Sequence, residues 1–371
     1  MGITAAGVLA VLGRLKHPEV KEDIVSLGLV SVLQADGQGI SVELRRHSPN
    51  DPFGKSLART GQRALEEAFP GVPVRMQLAE SVRPEVKPEE AAGGVGKVKH
   101  IVAVASGKGG VGKSTITVNL AVSLARRGLK VGILDADVFG PSMHIMLGVQ
   151  DRQPNIHMEG GRELMEPVEA YGVRLLSMGF FMSAQDALVW RGPMASNALR
   201  QLIELGMWGE LDILLIDMPP GTSDIHLTLV EQLALSGAVV VTTPQQVAVA
   251  DAEKAISMFM QRQVNVPILG VVENMAWFEP EELPGHRYYI FGRGGGQELA
   301  KRRGVFYLGG VPIIQGIREG GDMGFPIAAE SSSLGNAFDG LAVALLERLR
   351  ALQAQQPAAQ PLQSGQAGEA K

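Results

Sequence analysis

The stretch GKGGVGKST, from Gly107 to Thr115, combines glycines, lysines and hydroxyl groups at a spacing that suits a phosphate. It matches the pattern G-x-x-x-x-G-K-[ST], with an apolar run, KHIVAVAS, before it and a helical pattern, TITVNLAVSLARR, after it. In such a loop, backbone N–H groups surround a phosphate that also meets the positive end of the helix. We expect Lys113 to reach the β and γ phosphates of a nucleotide and the Ser114 hydroxyl to ligate Mg²⁺. The predicted nucleotide-binding residues are Gly107, Lys108, Gly109, Gly110, Val111, Gly112, Lys113, Ser114 and Thr115.

Aspartates end two of the apolar runs, where a parallel sheet would bring them to the edge that carries this loop. Carboxylates beside a phosphate loop can face Mg²⁺ or the attacking water. Four apolar residues followed by Asp217 predict a ligand of the Mg²⁺ shell, and PPGT at 219–222 predicts a switch that senses the γ phosphate. Asp135, in DADVFGPS, either caps the next turn or supports the loop and metal geometry. Because hydrolysis requires mainly positioning and charge neutralisation, the set predicts a Mg²⁺-dependent enzyme.

The elements that must position these residues follow from the pattern after about residue 98. Short apolar runs alternate there with helical patterns, which is typical of a parallel sheet covered on both faces. We predict an α/β domain with a doubly wound, mostly parallel sheet over residues 98–350 and a disordered Gln, Ala and Pro-rich tail over 351–371. The predicted strands are KHIVAVA, KVGILD, VRLLSM, LDILLID, GAVVVTT, PILGVVEN and GVFYLGGVP.

The first 80 residues predict a separate, small α+β domain. β-branched enrichment and Gly or Asp punctuation indicate its strands, and ADGQG is predicted as a turn. Residues 81–97, rich in Pro, Glu and Gly, are predicted as an exposed linker. The linker includes a second GGVGK at 93–97, but Val98 follows its lysine and no strand precedes it. The predicted elements are a helix to Lys16, strands Ile24–Leu33 and Gly39–Arg46, a helix Gly54–Ala68 and a strand Val72–Leu78.

Composition excludes several classes of function. The 371 residues carry a net charge of -5, so we expect no nucleic-acid partner without a local basic patch. The apolar start, ITAAGVLAVL, lacks the basic region of a signal peptide, and no run is long enough to span a membrane. We therefore expect a cytoplasmic protein with no membrane partner. The chain has no cysteine, which excludes disulfides, a thiol nucleophile and thiolate metal ligands.

A second lysine in the loop, Lys108, gives the form K-G-G-x-G-K-[ST], which resembles the deviant Walker A loop of the MinD-like ATPases. The resemblance implies an ATP-dependent homodimer in which Lys108 reaches the partner's nucleotide. It also implies that Asp137 orients the attacking water and that Asn274 contacts the adenine. From spacing alone, an Asn after a strand is usually a turn residue.

Several longer stretches resemble one branch of that group, the Mrp/ApbC family of iron-sulfur cluster carrier ATPases, across residues 98–345. The N-terminal unit, with HPEVKEDIVSLGLV, resembles the small iron-sulfur assembly domain that often precedes these ATPases. The resemblance implies ATP and Mg²⁺ as cofactors and a role in cluster assembly or transfer to apoproteins. The stretches are DADVFGPS, WRGPM, DMPPGTSD, VTTPQQVAVAD, VENM and FGRGGG.

One segment, AWFEPEELPGHRYYI, departs from the family, which usually has a cluster-binding C-x-x-C pair there. Thiolates suit iron-sulfur clusters whereas carboxylates suit harder cations, so this chain cannot hold a cluster through cysteine. His286 with a glutamate could substitute, or Pro280, Pro284 and Gly285 could form a charged hairpin whose glutamates face water. The flanking aromatic residues favour a dimer edge: Trp277, Phe278, Tyr288, Tyr289 and Phe291.

Three functional hypotheses remain open at this stage. The first is a cluster carrier, and the second is an ATP-gated dimeric scaffold whose clusters are held by another protein. The third is a positioning switch like MinD that docks on membrane through a C-terminal amphipathic helix. The tail offers no basic amphipathic face, which counts against the third hypothesis.

Overall fold

The structure, a computed structural model, divides the chain into two units, Met1–Lys87 and Pro88–Lys371. Of the predicted linker, only 93–97 lies within the described residues, and this part belongs to the second unit: the Gly94 N–H donates to Gly206 O at 2.8 Å. The predicted tail is also corrected, since 351–355 are helical and 356–371 lie outside the described residues. The structure describes residues 4–18, 21, 23–25, 27, 29–36, 39–44, 53–78, 93–159, 162–181, 192–222, 224–280, 282–283, 285–330 and 335–355.

In the described part of the first unit, two helices accompany a three-stranded sheet of order β1-β2-β3. Strands β1 and β2 pair antiparallel, and β2 and β3 pair parallel. Val8, Leu12 and Leu65 from the helices pack with strand residues in one apolar core. The elements are α1 (Ala5–Leu12), β1 (Val30–Asp36), β2 (Gly39–Leu44), α2 (Gly54–Ala68) and β3 (Val74–Leu78).

Three predicted elements in this unit have wrong boundaries, among them the third strand, which begins at Val74 and not at Val72. The first helix ends at Leu12, because Gly13 closes it by donating its N–H to Leu9 O. The strand predicted from Ile24 begins only at Val30: Ile24 is fully buried in the core but lies in a turn, with its N–H bonded to Leu15 O. Ile24 is apolar because it is buried in the core, and the sequence prediction took this apolar position for part of a strand.

The seven apolar runs of the second unit all form strands, and the predicted doubly wound, mostly parallel α/β sheet is confirmed. Within the described residues, one sheet has the order β13-β12-β11-β4-β10-β5-β9-β8, parallel except for β8. The ribbon β6–β7 and the edge strand β8 were not predicted. The strands are β4 (Val98–Ser106), β5 (Val131–Asp135), β6 (Asn155–Glu159), β7 (Arg162–Glu166), β8 (Val168–Ala170), β9 (Val173–Ser177), β10 (Leu211–Asp217), β11 (Gly237–Thr242), β12 (Ile268–Glu273) and β13 (Tyr307–Gly310).

Helices cover both faces of this sheet because successive side chains of its buried strands point to opposite sides. Ile101 and Ala103 of β4 belong to one apolar core, and Val102 and Val104 belong to the other. Within the described residues, no helix is long and apolar enough to cross a membrane. The helices are α3 (Lys113–Arg126), α4 (Met143–Met146), α5 (Gly192–Leu205), α6 (Asp224–Gln232), α7 (Gln246–Phe259), α8 (Gly295–Arg303), α9 (Gln315–Met323) and α10 (Gly335–Gln355).

Candidate nucleotide-binding site

The glycine-rich loop connects the end of β4, at Ser106, to the start of α3, at Lys113. Gly110 and Gly112 have φ angles of 81° and 82°, in the left-handed region that glycine adopts without a Cβ penalty. Close contacts also require glycine, because a Cβ on Gly107 would lie 2.0 Å from the backbone of Asp251. The loop therefore wraps tightly around the first turn of α3, with its backbone open on one side.

This open side is a cavity of about 220 Å³ at the carboxyl edge of the sheet. The positive end of α3 points into it, and such helix ends favour anions. The cavity is lined by predicted nucleotide-binding residues together with Ser106, Asp137 and Pro220, the last of which belongs to the PPGT segment. The lining consists of Ser106, Gly109, Gly110, Gly112, Lys113, Ser114, Thr115, Asp137 and Pro220.

Three side chains of α3 converge on Asp217, the last residue of β10. The Lys113 Nζ atom lies 2.6 Å from Asp217 Oδ2, and the Ser114 hydroxyl donates to the same oxygen at 2.7 Å. The Thr117 hydroxyl donates to Asp217 Oδ1 at 2.7 Å. Lys113 Nζ also lies 3.9 Å from Asp137 Oδ2. The structure thus brings together the lysine, hydroxyl and two carboxylates that the sequence predicted as one site.

The oxygen atoms of this cluster suit Mg²⁺. Hydroxyl and carboxylate oxygens are hard ligands, and Mg²⁺ in nucleotide sites is usually held by one or two of them together with phosphate oxygens and water. Ser114 and Asp217 supply such a pair, already 2.7 Å apart. The donor set therefore fits the metal that the loop pattern predicts.

Asp135 organises the loop that carries Asp137. Its Oδ2 accepts from the Ser177 hydroxyl at 2.7 Å and from the Met143 N–H at 3.3 Å, while its Oδ1 accepts from the Asp137 N–H at 3.2 Å. These bonds tie both ends of the 136–143 segment to the end of β5. The Asp135 side chain therefore contacts the turn that follows β5 and also supports the loop that carries Asp137.

Burial raises the pKa values of both aspartates of this segment. For Asp135 the pKa rises to about 7, because desolvation and the nearby charge of Asp217 outweigh the Ser177 hydrogen bond. For Asp137, desolvation also raises the pKa, and the positive charge of Lys113 opposes the rise. Positive charge at the site therefore favours the ionised form of each carboxyl group.

Asn274 lies against the phosphate loop. Its side-chain amide donates to Val111 O at 2.9 Å, and its backbone N–H donates to Thr242 O. A Cβ on Gly112 would lie 2.1 Å from the Asn274 Nδ2 atom. The side chain thus contacts the phosphate loop, and its predicted contact with the adenine stays a prediction.

Lys108 is exposed, unlike the buried Lys113. Its carbonyl oxygen accepts from the Ser106 hydroxyl at 3.0 Å, which holds the backbone of the loop. Within the described residues its ammonium group makes no ion pair, in contrast to that of Lys113.

Sequence reasoning missed the role of Glu273. This buried carboxylate is on the last residue of β12 and accepts from the backbone N–H groups of Gly296, at 2.5 Å, and of Gly294. It therefore fixes the N-terminus of α8 beside Asn274, and its burial raises its pKa. The motifs VENM and FGRGGG were visible separately, but nothing in their spacing indicates that they touch.

The segment between those two motifs folds as the charged hairpin that the sequence allowed. Phe278 and Tyr288 exchange backbone hydrogen bonds of 2.8 and 2.9 Å, and Glu279 accepts from the Gly285 N–H at 2.8 Å. Within the described residues no group of three or more His, Cys, Asp or Glu side chains could hold a metal ion. Glu281 and Pro284 lie outside the described residues. Four apolar or aromatic side chains of the segment are exposed: Leu283, Tyr288, Tyr289 and Ile290.

Comparison with known proteins identifies this architecture. A family model described as "NUBPL iron-transfer P-loop NTPase" matches residues 97–346. The "Iron-sulfur cluster carrier protein" of Synechocystis sp. is 40% identical over 335 residues, which cover 90% of this chain and 94% of the relative. The chain belongs to the Mrp/ApbC family of iron-sulfur carrier P-loop NTPases. A second relative of the same name, from Deinococcus radiodurans, is 43% identical over 86% of this chain and 87% of its own.

Solved structures agree with the observed fold. A nucleotide-binding protein from Archaeoglobus fulgidus in complex with ADP is 38% identical, with a TM-score of 0.55 over 64% of this chain and 90% of its own. The septum site-determining protein MinD of Pyrococcus horikoshii, complexed with Mg-ADP, is 25% identical, with a TM-score of 0.51 over 69% and 99% of the two chains. As an Mrp/ApbC member, the chain thus has the MinD-like fold that its loop implied. Of the family stretch WRGPM, Trp190 and Arg191 lie outside the described residues.

Proposed function

We propose that this chain is a Mg²⁺-dependent ATPase whose ATP-bound homodimer serves in the transfer of iron-sulfur clusters to apoproteins. The observation that carries the proposal is that Lys113, Ser114 and Asp137 line one cavity of about 220 Å³ and that the buried Asp217 binds Lys113 and Ser114 directly. In this proposal the small N-terminal unit is an iron-sulfur assembly-type domain, as its sequence resemblance implies.

Each residue of the site has a separate role in hydrolysis. The loop N–H groups and Lys113 bind the phosphates, so Lys113 must exchange its 2.6 Å contact with Asp217 for a phosphate oxygen. Ser114 and Asp217 would hold Mg²⁺, which would neutralise charge on the phosphates. Asp137 orients the attacking water, because its carboxylate projects into the same cavity. Asn274 contacts the adenine from the edge of the loop.

The proposed homodimer is supported by apolar side chains exposed near the cavity. Phe139 follows Asp137 by two residues and is 52% exposed, and Val247, on the helix that abuts Gly107, is 65% exposed. Exposed apolar groups beside a polar site are typical of surfaces that a partner covers. In this dimer Lys108, which is exposed on the phosphate loop, reaches the nucleotide of the second subunit.

The missing thiols limit how the chain handles its cargo. Without cysteine, neither subunit can ligate a cluster by thiolate, and the hairpin at the family's cluster position offers no alternative ligand group within the described residues. We therefore assign the chain the part of an ATP-driven scaffold, in which a partner protein supplies the thiolates. The relatives named iron-sulfur cluster carriers support a role in cluster transfer. The absence of cysteine supports the assignment of the thiolate ligands to a partner protein.

Comparing two lysine substitutions would test the ATPase. Lys113→Ala should abolish Mg²⁺-dependent phosphate release from ATP, because it removes the charge at the phosphate position. Lys97→Ala is a matched control, since Lys97 ends the second GGVGK but no α3-type helix follows it. Its rate should equal that of the unmodified chain. An unmodified rate no higher than that of Lys113→Ala would refute the proposal.

A further inference from the structure

Asp217 is completely buried and accepts hydrogen bonds on both carboxylate oxygens. Its Oδ2 receives the Lys113 ammonium and the Ser114 hydroxyl. Its Oδ1 receives the Thr117 hydroxyl at 2.7 Å. A charged acceptor makes each of these bonds short and strong.

One of the three donors must change partner when nucleotide binds, because Lys113 turns to the phosphates. Ser114 would ligate the metal through an oxygen lone pair while its hydrogen stays available to Asp217, so its position would depend on the metal as well. Within the described residues Thr117 is the only side-chain donor to Asp217 that has neither a phosphate nor a metal to bind.

The position of Thr117 on α3 explains how it can hold Asp217. It lies four residues after Lys113, which places both side chains on the same face of the helix, one turn apart. Its hydroxyl also lies 3.0 Å from Lys113 O, so its single hydrogen is shared between the helix carbonyl and the closer carboxylate. The side chain is fully buried and cannot exchange this bond for water.

We propose that Thr117 is a positioning residue for the metal site: it fixes Oδ1 of Asp217 so that Oδ2 faces the metal position while Lys113 moves from Asp217 to the phosphates. The proposal rests on the proposed function, because it concerns the Mg²⁺ held with the nucleotide. It assigns no chemistry to Thr117 itself. Removing such a supporting hydrogen bond typically weakens metal binding 10- to 100-fold.

The test measures the affinity for a fluorescent ADP analogue with Mg²⁺ and with EDTA, so that it does not depend on hydrolysis. Thr117→Val keeps the shape of the side chain but removes the hydroxyl. In Thr117→Val we expect the Mg²⁺ concentration that gives half of the Mg²⁺-dependent increase in ADP-analogue binding to rise about tenfold. The affinity for the analogue in EDTA should be unchanged. Thr117→Ser should restore the normal Mg²⁺ requirement because it restores the donor.

Ser123→Ala is the matched control on the same helix. Ser123 is also buried, but within the described residues its hydroxyl has no hydrogen-bond partner. Its removal should leave both affinities unchanged. An unchanged Mg²⁺ requirement in Thr117→Val would overturn the proposal, as would an equal loss of affinity with and without Mg²⁺, which indicates a structural role. If the unmodified chain binds no ADP analogue at all, the proposed function fails together with this inference.

Discussion

Two glycines of the phosphate loop permit a quantitative test of the contact between Asn274 and the loop. Gly110 and Gly112 have nearly the same positive φ, so an alanine at either position is strained by roughly 1–2 kcal/mol. At Gly110 a Cβ meets nothing within 4 Å. At Gly112 it would displace the Asn274 amide and break its bond to Val111 O, which costs about 1 kcal/mol more.

We expect Gly112→Ala to melt roughly 2–4 °C below Gly110→Ala in the absence of nucleotide. Tryptophan fluorescence is the suitable signal, because all three tryptophans of the chain lie in the second unit. In the Asn274→Ala background the amide that clashes is gone, so the two glycine variants should melt at the same temperature. Equal melting temperatures of the two variants in the unmodified background would refute the reasoning.

Three further predictions concern charge and cargo. The folded-state pKa of Asp135, about 7, exceeds its ordinary value, so stability should fall as pH rises from about 4 to about 7; Asp135→Asn should reduce this fall, as melting curves between pH 5 and 8 would show. Lys108→Ala should bind ATP yet lose ATP-dependent dimerisation in size-exclusion chromatography, and a dimer equal to that of the unmodified chain would contradict its role across the interface. Anaerobic incubation with iron and sulfide should yield no visible-absorbing cluster after desalting, because no thiolate is present, and a stoichiometric brown species would contradict this expectation.

The sequence was most informative where function depends on local pattern. The loop from Gly107 to Ser114 and the strands before it follow from short stretches whose geometry is set by their own residues. The parallel sheet was also predicted, and in the structure it places Asp217 beside Asp135 at the edge that carries the loop. These features needed no knowledge of distant contacts.

The remaining features depend on contacts between segments far apart in the chain. Glu273 binds the backbone of Gly296, 23 residues later, and a backbone donor leaves no trace in side-chain pattern. Thr117 reads as an ordinary helical residue until β10 brings Asp217 within 2.7 Å. In the first unit, Ile24 reads as a strand residue although a turn buries it. In each case the tertiary fold decides what the local sequence leaves open.

Two contacts hold the base of the hairpin of residues 276–291. Phe278 and Tyr288 exchange backbone hydrogen bonds across the base, and just outside the hairpin Glu273 accepts a hydrogen bond from the Gly296 N–H. Because backbone hydrogen bonds close the base, side chains beyond it can change without breaking the pairing of Phe278 with Tyr288. Cluster-binding thiols could therefore be lost in this segment, or engineered back between residues 279 and 286, while the base stays closed.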